Sequence, residues 1–213
     1  MPIARRHTLL SALLIFVASS ITWAADTPPR VDEAPPEDPV AVVQSLHGVL
    51  LDCMKGACGP DIKGRYQRIV AVLDETFDLA FMARIAIGKA WRTLSSDERA
   101  TYYELSRRLS AFNYASNFNS YGGQHFATLG EEPAARSTIL VKTEFVQPSD
   151  DNVRFDYRLR QVDGRWLIID ITLDGKVSEI TLRRADYSAV IEREGFEKLI
   201  TSLQKKIAKL EKE

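Results

Sequence analysis

An α+β fold is predicted, with helices first, an antiparallel meander of four to five strands next, and a closing helix last. Two changes of rhythm and one turn predict it. Apolar residues recur three and four apart from residue 39 to about 119, the period of amphipathic helices. From 126 to 183 they alternate, the period of strands with one covered face, and from 186 to 213 the helical spacing returns. Asp163-Gly164 stands between two alternating runs and is a two-residue hairpin signal. Helices gathered before a meander pack on one face of it, which leaves room for an apolar cavity between the layers.

The elements follow in order. Asp38 is placed as an N-cap with Pro39 at the first helical position. Val42/Val43, Leu46 and Leu50 then keep helical spacing to near Gly56. Cys58-Gly59-Pro60 is a turn, and Ile62, Tyr66, Ile69 and Leu73 mark a second helix. Asp78 caps a third, which Gly88 stops. Ser95 with Glu98 three residues on is a capping-box pattern. It opens the longest helix, to about Asn119, with Tyr102, Leu105, Leu109 and Phe112 on one stripe; Tyr121-Gly122-Gly123 ends it. Phe126–Gly130 is a weak strand, and Thr138–Gln147 and Val153–Arg160 are stronger ones, parted by Pro148-Ser149-Asp150-Asp151. In Val153–Arg160, Val153, Phe155, Tyr157 and Leu159 face one way and Arg154, Asp156, Arg158 and Arg160 the other, an exposed row of ion pairs. Trp166–Leu173 is apolar almost throughout, Lys176–Arg183 reads as one more strand, and Asp186–Glu194 and Phe196–Glu213 are helices parted by Gly195.

The first residues address the chain. Arg5, Arg6 and His7 precede the apolar run Leu9–Ile21, and Thr22-Trp23-Ala24 is a small-residue cleavage site, so residues 1–24 are expected to be an export signal. A retained signal anchor is the alternative. Five of the nine prolines (Pro28, Pro29, Pro35, Pro36, Pro39) lie among acidic residues, which makes 25–38 a Pro-rich tether. Residues 39–213 then form one domain, helical over 39–121, sheet over 126–183, and helical again over 186–213. A net charge of −1 is no signature of a polyanion binder, so nucleic acid is not an expected partner.

Chemistry-bearing patterns are few. Cys53 and Cys58, the two cysteines, are spaced C-x4-C. A zinc site lacks two further ligands, and the redox C-x-x-C spacing is absent. In an oxidising compartment a short structural disulfide is the first reading and free buried thiols the second. His47 lies on the first helix and His125 in a loop, each read as a surface or satisfied histidine. No nucleophile elbow, phosphate-cradling loop or dinucleotide glycine pattern appears, so neither an enzyme nor a cofactor is expected. Asp170 interrupts an apolar run and, if buried, needs a partner. Structural pairing is its first reading; an acid–base role with Tyr157 in a small cone-shaped enzyme is the rival.

The apolar residues are unusually bulky. Phe77, Phe81, Met82, Ile85, Trp91, Leu105, Leu109 and Phe112 from the helices would face Phe155, Tyr157, Leu159, Trp166 and Ile168 from the strands. Either they close on one another as core, or they leave a long apolar cavity for a ligand. The core reading makes the chain an envelope scaffold. Arg84, Lys89 and Arg92 lie among them, with Arg183 and Arg184 further on. A cationic rim beside an apolar cavity suits an amphiphile with an anionic head, and a solvated helix face is the alternative.

Several short words in order carry a resemblance: Phe77-Asp78-Leu79 with Met82-Ala83-Arg84 and Gly88, Trp91-Arg92, Tyr157-Arg158-Leu159, Asp163-Gly164-x-Trp166 with Asp170, and Arg184 through Gly195-Phe196-Glu197-Lys198-Leu199-Ile200. Over Val40 to Leu203 the chain resembles the MlaC-type periplasmic phospholipid carriers, also called toluene-tolerance auxiliary proteins. Ala80 stands where a Pro is common. The stretch from Gly175 to Arg183, with Ser178-Glu179, is one residue longer than usual and resembles the branch associated with hopanoid biosynthesis. The resemblance implies a periplasmic shuttle that holds phospholipid or hopanoid acyl chains between sheet and helices. Its implied partners are an inner-membrane ABC-type lipid transporter and an outer-membrane lipoprotein complex.

Overall fold

The computed structural model describes residues 38–212. The expected signal 1–24 and nearly all of the tether 25–38 lie outside the described residues. Helix α1 (Pro39–Met54) starts at Pro39, whose ring presets the helical φ, and buries Val42, Val43, Leu46 and Leu50. Cys53 and Cys58 are joined by a disulfide across the turn that follows. Asp61 then caps α2 (Ile62–Thr76), its carboxylate accepting from the Gly64 backbone at 2.8 Å. Gly64 is required there: a Cβ would lie 2.2 Å from the Cys58 carbonyl oxygen, so the disulfide turn rests directly on the first turn of α2.

Asp78 caps α3 (Leu79–Ile87) through Phe81 N, and Gly88, at φ +55, ends it and opens one 3-10 turn to Arg92. Helix α4 (Ser96–Asn117) begins at the expected capping box, with Glu98 N donating to Ser95 Oγ and Ser95 N to Glu98 Oε2. Near its other end a buried arginine serves a carbonyl that has no helical donor: Arg65 Nε donates to Ala115 O at 2.8 Å and its Nη1 to Pro60 O.

The sheet is a five-stranded antiparallel meander in sequence order, β1 (His125–Ala134), β2 (Thr138–Val146), β3 (Val153–Val162), β4 (Arg165–Leu173) and β5 (Val177–Ser178). Asp163 and Gly164 both take positive φ, as a two-residue hairpin between right-twisted strands requires. The inner face carries Val141, Thr143 and Phe145 of β2, paired with Tyr157, Phe155 and Val153 of β3. A bulge beside Leu159 keeps Ile168 opposite it.

Three segments differ from the expectation. Strand β1 runs to Ala134 rather than Gly130, through a bulge at Gly130 and past Pro133; both breakers are tolerated because β1 is an edge. Lys176–Arg183 is not a strand. Pairing stops at Ser178, and α5 (Glu179–Glu194) starts there, so the sheet part ends at 178 and helix resumes at 179 instead of 186. The cause is a non-local cap. Asp170 accepts from Ser178 Oγ and Ile180 N, and Ser178 Oγ accepts from Thr181 N. The charged face of β3 is not wholly exposed either: Asp156 pairs with Arg154 and is only 5% accessible.

Gly195, at φ +85, separates α5 from α6 (Phe196–Leu210), which buries Leu199, Ile200, Leu203 and Ile207. Between α2 and α3 the chain lies along the edge of β4. Phe77 bridges Ile168 in parallel, and Asp78 N donates to Ile168 O at 2.9 Å.

The disulfide yields a direct expectation. Thiol labelling of the unreduced, denatured protein finds no free thiol, and labelling after reduction finds two; two thiols before reduction would refute the pairing. Reduction lowers stability by about 2 kcal/mol, the loop-closure value for so short a ring. Gly64→Ala, which strains the same contact, destabilises even the reduced protein.

Candidate functional site

The inner ends of β2, β3 and β4 do not meet α4. Between them lies a cavity of about 450 Å³, within the roughly 300–1,000 Å³ of ligand sites. Its sheet wall is Phe145, Val153, Phe155, Ile171 and Leu173, positioned by strand alternation, and Phe118 just past α4 joins them. Its helical wall is Ser110, Asn113, Tyr114 and Asn117, one stripe at spacings of three and four. Glu179 and Arg183, from the first turns of α5, close one side.

Aromatic rings make the wall stiff. Phe126 packs on Phe145 at 4.7 Å between centroids and Phe118 meets Phe145 edge-on at 5.6 Å. Behind Phe126 lies His47, stacked on it at 3.7 Å and 5°. His47 Nε2 and the Tyr157 hydroxyl share a hydrogen bond of 3.0 Å, both side chains buried. Burial pushes the His47 imidazole down to about 3, so it is neutral, and burial likewise raises the Tyr157 and Tyr114 hydroxyls far above their ordinary value. His47 is thus a satisfied interior histidine.

Phe155 lines the cavity, and the other expected lining residues lie elsewhere. Phe77, Leu105, Phe112, Tyr157, Leu159 and Ile168 are buried in the closed core. Leu109 lines a second hollow between α4, α5 and α6. Phe81 and Trp166 are half-buried, and Met82 borders a narrow gap between α3 and α4. Ile85 and Trp91 line a separate groove of about 370 Å³ with Arg84, Lys89, Arg92 and Arg184. The guanidinium of Arg84 stacks over Phe81 at 5.5 Å. Arg183 is the expected cation that reaches the apolar cavity. Its Nη1 donates to Ser110 Oγ at 3.1 Å and its Nη2 pairs with Glu179.

Asp170 and Tyr157 do not converge. Tyr157 pairs across the sheet with Ile171 and Asp170 with Arg158, so their side chains point to opposite faces, and the Asp170 oxygens are held by Ile171 N, Ser178 and Ile180 N. Among the described residues no three His, Cys, Asp or Glu side chains are placed to hold a metal, and no helix is long and apolar enough to cross a membrane. Of the lining residues, sequence reasoning placed Phe155 and Arg183 in the site and passed over the rest, among them Ser110, Asn113, Tyr114, Asn117, Phe118, Phe145, Ile171 and Leu173. A signal was available: polar Asn113 and Asn117 sit beside the apolar stripe of α4.

A family model described as MlaC protein matches residues 51–205. The chain belongs to the MlaC family. The fold of this MlaC-family chain is similar to a solved phospholipid-binding protein from Ralstonia solanacearum, a structure in complex with a phospholipid. That similarity has a TM-score of 0.72 and 20% identity, over 82% of this chain and 99% of the other. No curated protein matches.

The buried histidine makes stability depend on pH. The unfolded chain protonates His47 near 6.5 and the native MlaC-family fold only near 3, so this contribution is complete above about 6.5 and is lost as pH falls toward 3. Denaturant unfolding at pH 7 and pH 5 is expected to show a loss of about 2 kcal/mol that is absent from His47→Gln. An equal loss in both proteins would show that His47 is not the group responsible.

Proposed function

We propose that this MlaC-family protein is a periplasmic lipid carrier, not an enzyme, which takes an acyl chain of a phospholipid, or the apolar body of a hopanoid, into the cavity between α4 and the sheet. The observation that carries this reading is the 450 Å³ cavity whose sheet wall is apolar from Phe145 to Leu173. The phospholipid in the Ralstonia relative supports it. An export signal at 1–24 would deliver the chain to the periplasm. There an inner-membrane ABC-type lipid transporter, and beyond it an outer-membrane lipoprotein complex, would exchange lipid with it. The groove of Arg84, Lys89, Arg92 and Arg184 is the proposed docking rim, since none of these four has an ion-pair partner among the described residues.

Magnitudes define how such a carrier works. Burying an acyl chain is worth about 0.8 kcal/mol per methylene, so two chains of about 30 methylenes in all would reach about 24 kcal/mol. That exceeds the roughly 18–21 kcal/mol at which noncovalent affinities saturate. A bilayer offers the lipid nearly the same gain. The protein therefore only has to imitate the bilayer, and release into water is very slow without an acceptor.

Extraction of the purified protein with organic solvent, followed by mass spectrometry, tests the reading: co-purified lipid in near-stoichiometric amount is expected, and a lipid-free protein that also takes up none from vesicles would refute it. Val153→Trp, which fills the cavity, should remove most of that lipid with stability nearly unchanged. Ile168→Trp, in the closed core, should instead cost about 1–3 kcal/mol by overpacking. The reverse pattern would place the lipid elsewhere.

With labelled lipid loaded, dilution into buffer releases almost none within minutes, and membranes bearing the transporter speed transfer in proportion to their concentration. Charge reversal at Arg84, Lys89 and Arg92 slows that transfer, more so at low salt, because exposed charges are screened over about 8–10 Å near physiological ionic strength. Fast, acceptor-independent loss of lipid would contradict the carrier mechanism.

A further inference from the structure

Arg183 stands where three hollows meet. It lines the apolar cavity, the narrow gap between α3 and α4, and the second large hollow of about 460 Å³ between α4, α5 and α6. Asn113 and Glu179 border both large hollows with it. The second hollow is apolar at Leu109, Leu182, Tyr187 and Leu210 and charged at Asp186, Lys206 and Lys209. One guanidinium thus stands between two hollows of similar size, one mostly apolar and the other apolar over part of its wall.

That guanidinium is costly where it is. Its side chain is 21% accessible, and a cation so withdrawn needs an anion beside it. The partner present is Glu179, one turn earlier on the same helix and 31% accessible, so its carboxylate is free to turn toward water when another anion takes its place. The remaining contact, Ser110 Oγ, is neutral. A phosphodiester offers two oxygens to the planar fork of an arginine and matches it better than a single carboxylate oxygen does.

Resting on the lipid-carrier reading, we propose that Arg183 binds the phosphate of a glycerophospholipid whose two acyl chains lie one in each large hollow, with Glu179 as the counter-ion that the phosphate displaces. Asn113, on both hollows, is placed to donate a second hydrogen bond to the same group. A neutral lipid offers Arg183 only uncharged ester and hydroxyl oxygens, too weak to replace a carboxylate, and leaves the Arg183–Glu179 pair intact. The site therefore selects for phosphate-bearing lipids over uncharged ones of equal apolar size.

The test uses donor vesicles holding equal amounts of palmitoyl-oleoyl phosphatidylglycerol and palmitoyl-oleoyl glycerol, which share their chains and differ in the phosphodiester headgroup. Mass spectrometry of the loaded protein reads the ratio of the two. Arg183→Gln is expected to lower that ratio about tenfold relative to wild type, the share of a charge-assisted hydrogen bond, while palmitoyl-oleoyl glycerol still loads. Glu179→Gln, which frees the guanidinium, is expected to raise it severalfold. An unchanged ratio in both variants overturns the proposal. Should Arg183→Gln fail to fold, Glu179→Gln alone decides, and no rise overturns the proposal. Leu182→Trp, which fills the second hollow, is expected to reduce loading of the two-chain phosphatidylglycerol while one-chain lysophosphatidylglycerol still loads; equal loss of both overturns the placement of the chains. If the wild-type protein loads neither lipid, the carrier reading itself fails and takes this inference with it.

Discussion

Asp78 is the residue on which the two layers depend. Its backbone N–H donates to Ile168 O on β4, its Oδ1 caps α3 through Phe81 N, and its Oδ2 pairs with Arg160 of β3. One residue therefore sets where α2 ends, where α3 begins and how both sit on the sheet. Arg160 also lies 4.2 Å from the centroid of the Phe81 ring, so the pair is roofed by an aromatic face. With α2 and α3 held to the edge of β4 and α4 packed on α2, the face of α4 that carries Ser110, Asn113, Tyr114 and Asn117 stands off from the sheet. The cavity is the space that this arrangement leaves.

Much of the fold was legible because its punctuation is local. Pro39, Asp78, Ser95 with Glu98, Gly88 and Gly195 each act within one turn, and the helices start and stop at them, although the Asp38 side chain makes no capping bond to α1. The start of α5 was not legible, because Val177 through Arg183 is rich in residues that suit a strand, and the decision lies with Asp170, far back on β4. The length of β1 was hidden for a related reason: Gly130 and Pro133 break strands that have two neighbours, and β1 has one.

The site was legible in kind more than in place. Bulky residues on α3 and α4 suggested a hollow, and alternation in β3 pointed Phe155 at it. Whether Phe112 or Phe118 borders empty space depends on the gap between α4 and the sheet, a tertiary quantity that no spacing encodes. Phe112 is closed off by Tyr66, stacked at 4.2 Å, whereas Phe118 lies beyond the helix among Phe126 and Phe145. Arg183 was the hardest to rank against Arg184, its exposed neighbour. They are adjacent in sequence, yet a helix turns them about 100° apart, one toward the cavities and one toward the Gly88 groove.

The rims of the sheet bear on a different hazard. A meander has two outer strands, and each offers a row of unpaired backbone groups to any other extended chain. Here one outer strand is interrupted by the Gly130 bulge, lacks an N–H at Pro133 and carries Glu131 and Glu132 side by side. The other is two residues long, and the Phe77–Asp78 segment occupies β4 beyond it. Neither rim is a template for a neighbouring strand. A chain whose apolar cavity is partly open is thereby kept from polymerising edge to edge, and that apolar surface is not consumed by copies of itself.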